Sequence, residues 1–422
     1  MKRKIITITL LLLFLAVIAA NAANQGAPSF VYPAEFEKHE SIWLAWPKSE
    51  YVQGRPTEKV ILSMIKALAP YVAVDLMVQD QQEQDQVQRI FTLLNIPSDH
   101  VRFHHIPHGD IWLRDMGPIF LKNSRNEMMV ADFGFNFWGY DTQVSSYTME
   151  EEPVDRLVAR ELDLSVIRSS IVSEGGNREF NGKGTMMVTE AVELQRNPGW
   201  TKEELEAEYK RIFHVDKVIW LSKGLAEDPL AFKGKLPGNV FSSFTTGGHI
   251  DEYARFVGPK TILLVEVTPE ERDSDPLAKI TYENMEENYQ ILKNATDQEG
   301  KPFTVIRVPH VEPIYEKLDA DDLMFQYLRD MPFEDGTVIA EDETITMILA
   351  ASYMNYVVTN GVVLIPMYWQ EGRSEKVRKK DEAFKGIIEQ VFPGRRIVQI
   401  NPENVNLGGG GMHCISQQMP AR

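Results

Sequence analysis

The chain reads as an α/β protein, and three observations say so: helical apolar spacing alternates with short β-branched runs, the alternation lasts to the C-terminus, and no linker interrupts it. Residues 57–69 carry Val60, Ile61, Met64, Ile65 and Leu68 at helical spacing, and a strand is expected at 72–78. Residues 80–94 form a helix whose polar start gives way to Ile90, Phe91, Leu93 and Leu94, with strands expected at 101–106 and 128–133. A helix is expected at 151–162, and Thr201-Lys202-Glu203-Glu204 is a capping box that opens another, running to Phe213. The runs 217–221, 261–267 and 303–308 suit buried strands. Asn360-Gly361, between two apolar runs, is a hairpin turn, and a last helix at 374–392 precedes a strand at 396–400. The rhythm, roughly one helix for every two or three strands, fits either a repeated α/β module closed into a ring or one large mixed sheet, and periodicity does not choose between them.

Composition narrows the function classes. With 43% hydrophobic and 25% charged residues the chain is neither disordered nor fibrous. Lys2, Arg3 and Lys4 precede an apolar run from Ile5 to Ala20, and Ala20-Asn21-Ala22 fits a small-x-small cleavage site, so residues 1–22 are expected to be a signal peptide, with export to the periplasm or beyond the cell. The apolar run is short for a membrane span, which needs about 20 residues. One domain is expected over 23–422, with no membrane attachment after cleavage. Losing 1–22 removes three basic and no acidic side chains and brings the net charge from −17 to −20. So acidic a surface repels phosphate backbones and excludes nucleic acid as a partner, whereas it draws cations weakly. Oligomeric state is left open, a homo-oligomer among the options. A single cysteine, Cys414, makes a disulfide framework impossible and leaves one free thiol.

Four segments carry chemistry. Ile111-Trp112-Leu113-Arg114-Asp115-Met116-Gly117-Pro118 sets an aromatic face beside a carboxylate, a pattern that suits a cation and equally suits a local ion pair with a core tryptophan. Ser173-Glu174-Gly175-Gly176-Asn177 exposes backbone through paired glycines, as a simple strand-end turn also would. In Gly247-Gly248-His249-Ile250-Asp251-Glu252, a strand starting after the glycines would put His249 and Asp251 on one face, as a general base with a cation clamp or as a satisfied pair. In Leu407-Gly408-Gly409-Gly410-Gly411-Met412-His413-Cys414-Ile415, four glycines ahead of the only cysteine are costly in backbone entropy and imply close approach to the main chain, which raises Cys414 from a buried structural thiol to a candidate nucleophile. His104, His105, His108 and Asp110 could be metal ligands, but they lack a second pair at zinc spacing and read as strand-end polar residues.

Taken in order, these segments resemble the agmatine deiminase and Porphyromonas-type peptidylarginine deiminase family. The likeness runs from Ser41-Ile42-Trp43-Leu44-Ala45-Trp46-Pro47 through Trp112-x-Arg114-Asp115-x-Gly117-Pro118, Glu174-Gly175-Gly176, Arg196-Asn197-Pro198, Gly248-His249-Ile250-Asp251 and Ala351-Ser352-Tyr353 to Gly409-Gly410-Gly411-x-His413-Cys414-Ile415-Ser416-Gln417-Gln418. The resemblance implies a pentein-type α/β propeller of five ββαβ-like units around a pseudo-fivefold axis, with the site at its centre. It also implies a cysteine-dependent guanidine deiminase that needs neither metal nor organic cofactor. By the same likeness Cys414 attacks the guanidinium carbon, Asp115 and Asp251 bind its nitrogens, and His249 protonates the leaving ammonia and then activates water. Trp112, Arg114, Glu174 and Asn177 are expected to bind substrate.

Agmatine, converted to N-carbamoylputrescine, is the first substrate expected. One departure matters: family members usually carry acids just before the Gly-His pair, where this chain has Phe244-Thr245-Thr246-Gly247-Gly248. That departure and the export signal keep peptidyl or free arginine open as the second substrate. An amidinotransferase and a non-catalytic guanidine-binding protein also stay open.

Overall fold

Residues 362–366 are apolar at every position, and the strand they form, Val362–Pro366, is buried along its whole length. It is antiparallel to Val357–Val358 on one side and parallel to Arg396–Ile400 on the other, with helix Glu375–Val391 making the crossover between the parallel pair. The computed structural model describes residues 29–140 and 146–422, so the leader expected over 1–22 lies outside them.

This three-strand unit recurs. Ile119–Lys122, Met128–Gly134 and Ser165–Val172 pair in the same antiparallel-then-parallel order. So do Arg178–Phe180, Thr185–Thr189 and Lys217–Leu221, and again Ala254–Gly258, Thr261–Glu266 and Thr304–Pro309. In the remaining unit the antiparallel strand comes from the other end of the chain. Gln417–Pro420 pairs with His39–Ala45, which lies parallel to Ala73–Val78, so the two ends of the chain close one sheet. Val101–His105 extends that sheet by a fourth strand. The fold is thus a five-unit α/β propeller, and the large mixed sheet is excluded. A further small sheet of Phe241–Ser242, Ile345–Ile348 and Tyr315–Leu318 lies outside the repeat.

Two readings of helices change. The stretch 151–162 is two helices, Ser146–Glu151 and Val154–Glu161, parted at Pro153, whose ring and missing N–H break a continuous helix. Helix Pro276–Asn294 was not expected from spacing, although its start is marked in sequence. The Asp275 side chain accepts from the N–H of Leu277 at 2.7 Å and of Ala278 at 3.2 Å, with Pro276 at the first helical position.

What positions the site is the way each unit is entered. A short turn precedes every antiparallel strand: Leu113–Met116, Gly175–Asn177, Ile250–Glu252, residues 353–354 and residues 412–415. Four of these turns hold the chemical segments identified in the sequence. The fifth belongs to the unit that contributed none.

Candidate active site

The five turns meet. The Arg114 N–H donates to the Cys414 carbonyl at 3.0 Å, joining the turn of Asp115 to that of the thiol. Asp115 is buried, with Oδ1 accepting from the Gly176 N–H at 2.8 Å and Oδ2 from Trp138 Nε1 at 2.8 Å. Burial pushes its carboxyl up, against the pull of His249. Gly176 is where the convergence is tightest. A Cβ added there would lie 2.5 Å from His249 Nδ1, 2.9 Å from Asp115 Oδ1 and 3.2 Å from Asp251 Oδ2.

His249 and Asp251 do not lie on a strand. Gly247 and Gly248 take φ of +86° and +115°, the chain then turns through Ile250–Glu252, and the next strand begins only at Ala254. The loop is held from below by Asp228, which accepts from the N–H of Thr246 at 2.6 Å, Gly248 at 3.1 Å and His249 at 3.0 Å. His249 Nε2 faces Glu174 Oε2 at 3.3 Å, and Glu174 is in turn paired with Arg196 at 2.7 Å. Burial alone would lower the His249 pKa, but Asp115, Glu174 and Asp251 outweigh it and raise it to about 9, so the ring is an imidazolium at neutral pH. Glu174, buried yet beside Arg196 and His249, is held down to about 2.

Asp251 Oδ2 accepts from His413 Nδ1 at 2.7 Å, and His413 Nε2 faces Glu35 at 2.9 Å. Despite its burial, His413, His249 and Arg255 keep the Asp251 carboxyl below its ordinary range. The carboxylate is 3.5 Å from Cys414 Sγ, and Glu252 Oε1 is 3.7 Å from it. Burial, then Asp251, Glu252 and Asp115, push the thiol well above its ordinary value. In the free protein Cys414 is therefore a neutral thiol among acids.

The glycine run does admit close approach to the main chain, and what approaches is the protein itself. Side chains at Gly408, Gly410 and Gly411 would run into the rings of Tyr51 and Trp112 and the amide of Asn355. Gly409 takes φ of +116° with the Phe244 backbone against it.

Of the expected substrate-binding residues, Trp112 lines a cavity of about 150 Å³ walled also by Tyr51, Phe137, Trp138, Phe244 and Tyr327, with Asp110 at its side. The other three point elsewhere. Arg114 pairs with Glu35 at 2.8 Å, Asn177 donates to Glu193 at 2.8 Å, and Glu174 orients His249. Their motif positions share the site's turns, but their side chains brace it from behind. The histidines at 104, 105 and 108 do not converge: they go to Asp75, to Gln84 and to the Ile106 and Trp46 carbonyls respectively.

Glu35, Trp138, Asp228 and Asn355 were not singled out in the sequence, and Glu252 stood inside a flagged segment with no role assigned to it. Of the first four, Asn355 alone sat close to a motif, two residues beyond Ala351-Ser352-Tyr353. Among the described residues, two clusters have donor atoms close enough to share an ion, Glu35–Glu179–His413 and Asp251–Glu252–Cys414. In the first, Arg255 pairs with both glutamates and is the cation. The second is the acid surround of the thiol.

Two polar atoms of this centre, His249 Nδ1 and Asp251 Oδ1, are buried with no hydrogen-bond partner. Buried polar groups are nearly always satisfied, so these two atoms leave bonds for a ligand to complete.

Comparison with known proteins agrees in fold and in extent. The sequence model of the Porphyromonas-type peptidyl-arginine deiminase family matches residues 31–420. An agmatine deiminase of Ectopseudomonas mendocina is 28% identical over 405 residues, 94% of this chain and 96% of the other. The agmatine deiminase of Enterococcus faecalis, solved while catalysing its reaction, superposes with a TM-score of 0.72 at 27% identity, covering 94% of this chain and 99% of that one. A substrate-bound agmatine deiminase from C. jejuni, with a cysteine replaced by serine, shares the fold, with a TM-score of 0.66 at 20% identity, covering 94% and 98%.

Proposed function

From its membership of the Porphyromonas-type peptidyl-arginine deiminase family, to which this chain belongs, we propose that it is a cysteine-dependent hydrolase of linear amidines that converts agmatine and water to N-carbamoylputrescine and ammonia. The observation that carries the reading is the cradle around Gly176, where an imidazolium and two carboxylates face one point beside a thiol. A flat guanidinium supplies the N–H donors that Asp115 and Asp251 would accept.

The order of events follows from the charges. A cation entering between Asp115 and Asp251 takes over the role of the thiol proton, which leaves to solvent, because a nearby positive charge favours the thiolate. The sulfur then bonds to the guanidinium carbon. His249 gives its proton to one nitrogen, which departs as ammonia, leaving an amidino-thioether. Neutral His249 next takes a proton from water as the hydroxyl adds to that carbon. The C–S bond breaks, the ureido product leaves and the sulfur regains a proton. Holding the reactants in line is worth several kcal/mol, about 7–11 at the upper end.

The narrow aromatic cavity favours a small guanidine over a protein chain, and Asp110 on its wall suits an ammonium better than the α-carboxylate of free arginine. The purified enzyme is expected to release ammonia from agmatine faster than from free arginine or a peptide ending in arginine. Peptide turnover exceeding agmatine turnover would reverse the assignment, and product formed only with an added amine acceptor would make it an amidinotransferase. Gly176→Ala puts a methyl into the cradle. It is expected to lower kcat/KM about 10- to 100-fold, as overpacking by about 1–3 kcal/mol does; an unchanged value would place the guanidinium elsewhere.

A further inference from the structure

Another cavity, sharing no residue with the site, lies where the last unit of the ring meets the first. It measures about 780 Å³ and runs as a groove between helix Glu58–Leu68 and strand Arg396–Ile400. Lys59, Ser63 and Lys66 line one wall, and their spacing of four and three residues sets them on one face of the helix. Arg396, Val398, Gln399 and Ile400 line the other wall, and their strand is the outermost of its sheet. The Arg396 N–H donates to the Gly361 carbonyl at 2.8 Å, and the Ile400 carbonyl accepts from the Met367 N–H at 2.9 Å. In this parallel pair residues 396, 398 and 400 therefore bond inward, which turns the N–H and C=O groups of Ile397 and Gln399 toward the open edge.

The second unit shows how this fold can close such an edge. Along its outer strand, Ser165–Val172, Glu208 accepts from the Ser170 N–H at 3.2 Å and Asn197 from the Val172 N–H at 2.9 Å, while Arg211 donates to the Arg168 carbonyl at 2.7 Å. Among the described residues no side chain does this for Ile397 or Gln399, and the side-chain Nε2 of Gln399 is buried with no hydrogen-bond partner. The lining is also of one sign. Its charged residues are Lys59, Lys66 and Arg396, none of them in an ion pair among the described residues, in a chain of net charge −17. Basic side chains often guard a bare edge, but a guarding charge sits on the strand itself, whereas two of these three stand on the facing helix.

We propose that this groove binds an extended acidic segment of a partner protein, which adds as a strand to the open edge of Arg396–Ile400. The backbone of the segment bonds Ile397 and Gln399, and its carboxylates meet Lys59, Lys66 and Arg396. Main-chain bonds then supply affinity, and the cations select the sequence. Five strand residues span about 16 Å, so the footprint is about five residues. A small free anion would use the cations and leave the edge bare, and a nucleic acid is repelled by the acidic remainder of the surface. Exposed charges are screened by salt, so binding weakens as ionic strength rises.

The test uses a fluorescein-labelled, acetylated hexapeptide that alternates glutamate and valine. A lysine–valine peptide and a backbone N-methylated glutamate–valine peptide, which cannot pair as a strand, are the controls. Fluorescence anisotropy with the whole protein is expected to rise for the first peptide and stay flat for both controls. The double variant Lys59→Glu/Lys66→Glu is expected to weaken binding at least about tenfold, because like charges then face each other, while its unfolding midpoint stays that of wild type. Hydrogen exchange at the Ile397 and Gln399 amides is expected to slow at least about tenfold when the peptide is bound. A flat signal with the glutamate–valine peptide overturns the proposal, as does equal binding of the lysine–valine peptide or unchanged exchange at both amides. Complete displacement by inorganic phosphate at the peptide's own concentration also overturns it, leaving an anion site. Self-association of the wild type that the double variant loses overturns it as well, since a second copy would then cover the groove.

Discussion

Cys414→Ala is expected to reduce ureido product formation from agmatine to background, a fall of at least about 10⁴-fold, as when the nucleophile of a concerted catalytic set is removed. The size of the effect follows from the substrate. A guanidinium carbon is stabilised by resonance and resists direct attack by water, so in the proposed reaction the covalent route through sulfur divides one high barrier into two lower ones. Little else should change. The thiol is 3% exposed and its loss removes one small buried atom group, while Asp115, Asp251 and His249 keep their own partners. The variant is therefore expected to bind agmatine in a calorimetric titration without turning it over. Mass spectrometry of wild type quenched during turnover should find the amidino adduct on the peptide that contains Cys414. A Cys414→Ala protein with undiminished turnover, or an adduct on another residue, would remove the basis of the mechanism; unchanged behaviour in every assay would leave a guanidine-binding protein.

How far the sequence led depended on whether a feature was local. Residues 217–221 and 362–366 announce strands because each is a short apolar run, and the capping box at Thr201 is present with both of its bonds. Closure of the ring was beyond such reasoning, since it depends on Gln417–Pro420, four residues with no alternating pattern, finding His39–Ala45 at the far end of the chain. The site divides in the same way. Asp115, His249, Asp251 and Cys414 stood in motifs and come together in the fold. Asn355 was hidden because an asparagine after Tyr353 and Met354 reads as an ordinary turn residue until its amide is seen against sulfur. Arg114 and Asn177 share motifs with functional residues, yet in each turn neighbouring side chains diverge, one into the site and the next into the scaffold. Motif membership locates the turn, and only geometry assigns the side chain.

Glu35 shows what the scaffold side of those turns requires, and Glu35→Gln is expected to destabilise the protein by about 3–5 kcal/mol, the usual cost of leaving a buried charge without its partner. Its carboxylate meets Arg114 at 2.8 Å, Arg255 at 2.5 Å and His413 at 2.9 Å, all three at most 3% exposed. Arg255 continues to Glu179 and to the carbonyls flanking Asn355, and His413 continues to Asp251, so one carboxylate braces turns or strands from every unit of the ring. An exposed pair such as Lys233–Glu334, with both side chains more than half exposed, is the contrast: its removal should cost no more than about 1 kcal/mol. Acid titration gives a second reading. Burial raises the Glu35 carboxyl, but Arg114, His413 and Arg255 outweigh it and hold it well below its ordinary value of 4.5. A depressed folded value means that the contribution is complete above 4.5 and is lost as pH falls below it toward the folded pKa. Urea unfolding of wild type and Glu35→Gln should therefore differ most near neutrality and converge in acid. The variant's kcat should fall too, because Asn355 and Asp251 lose the groups that hold them. Equal unfolding midpoints at neutral pH would show that Arg114, Arg255 and His413 are held without Glu35, and the ring would then owe its central rigidity to packing alone.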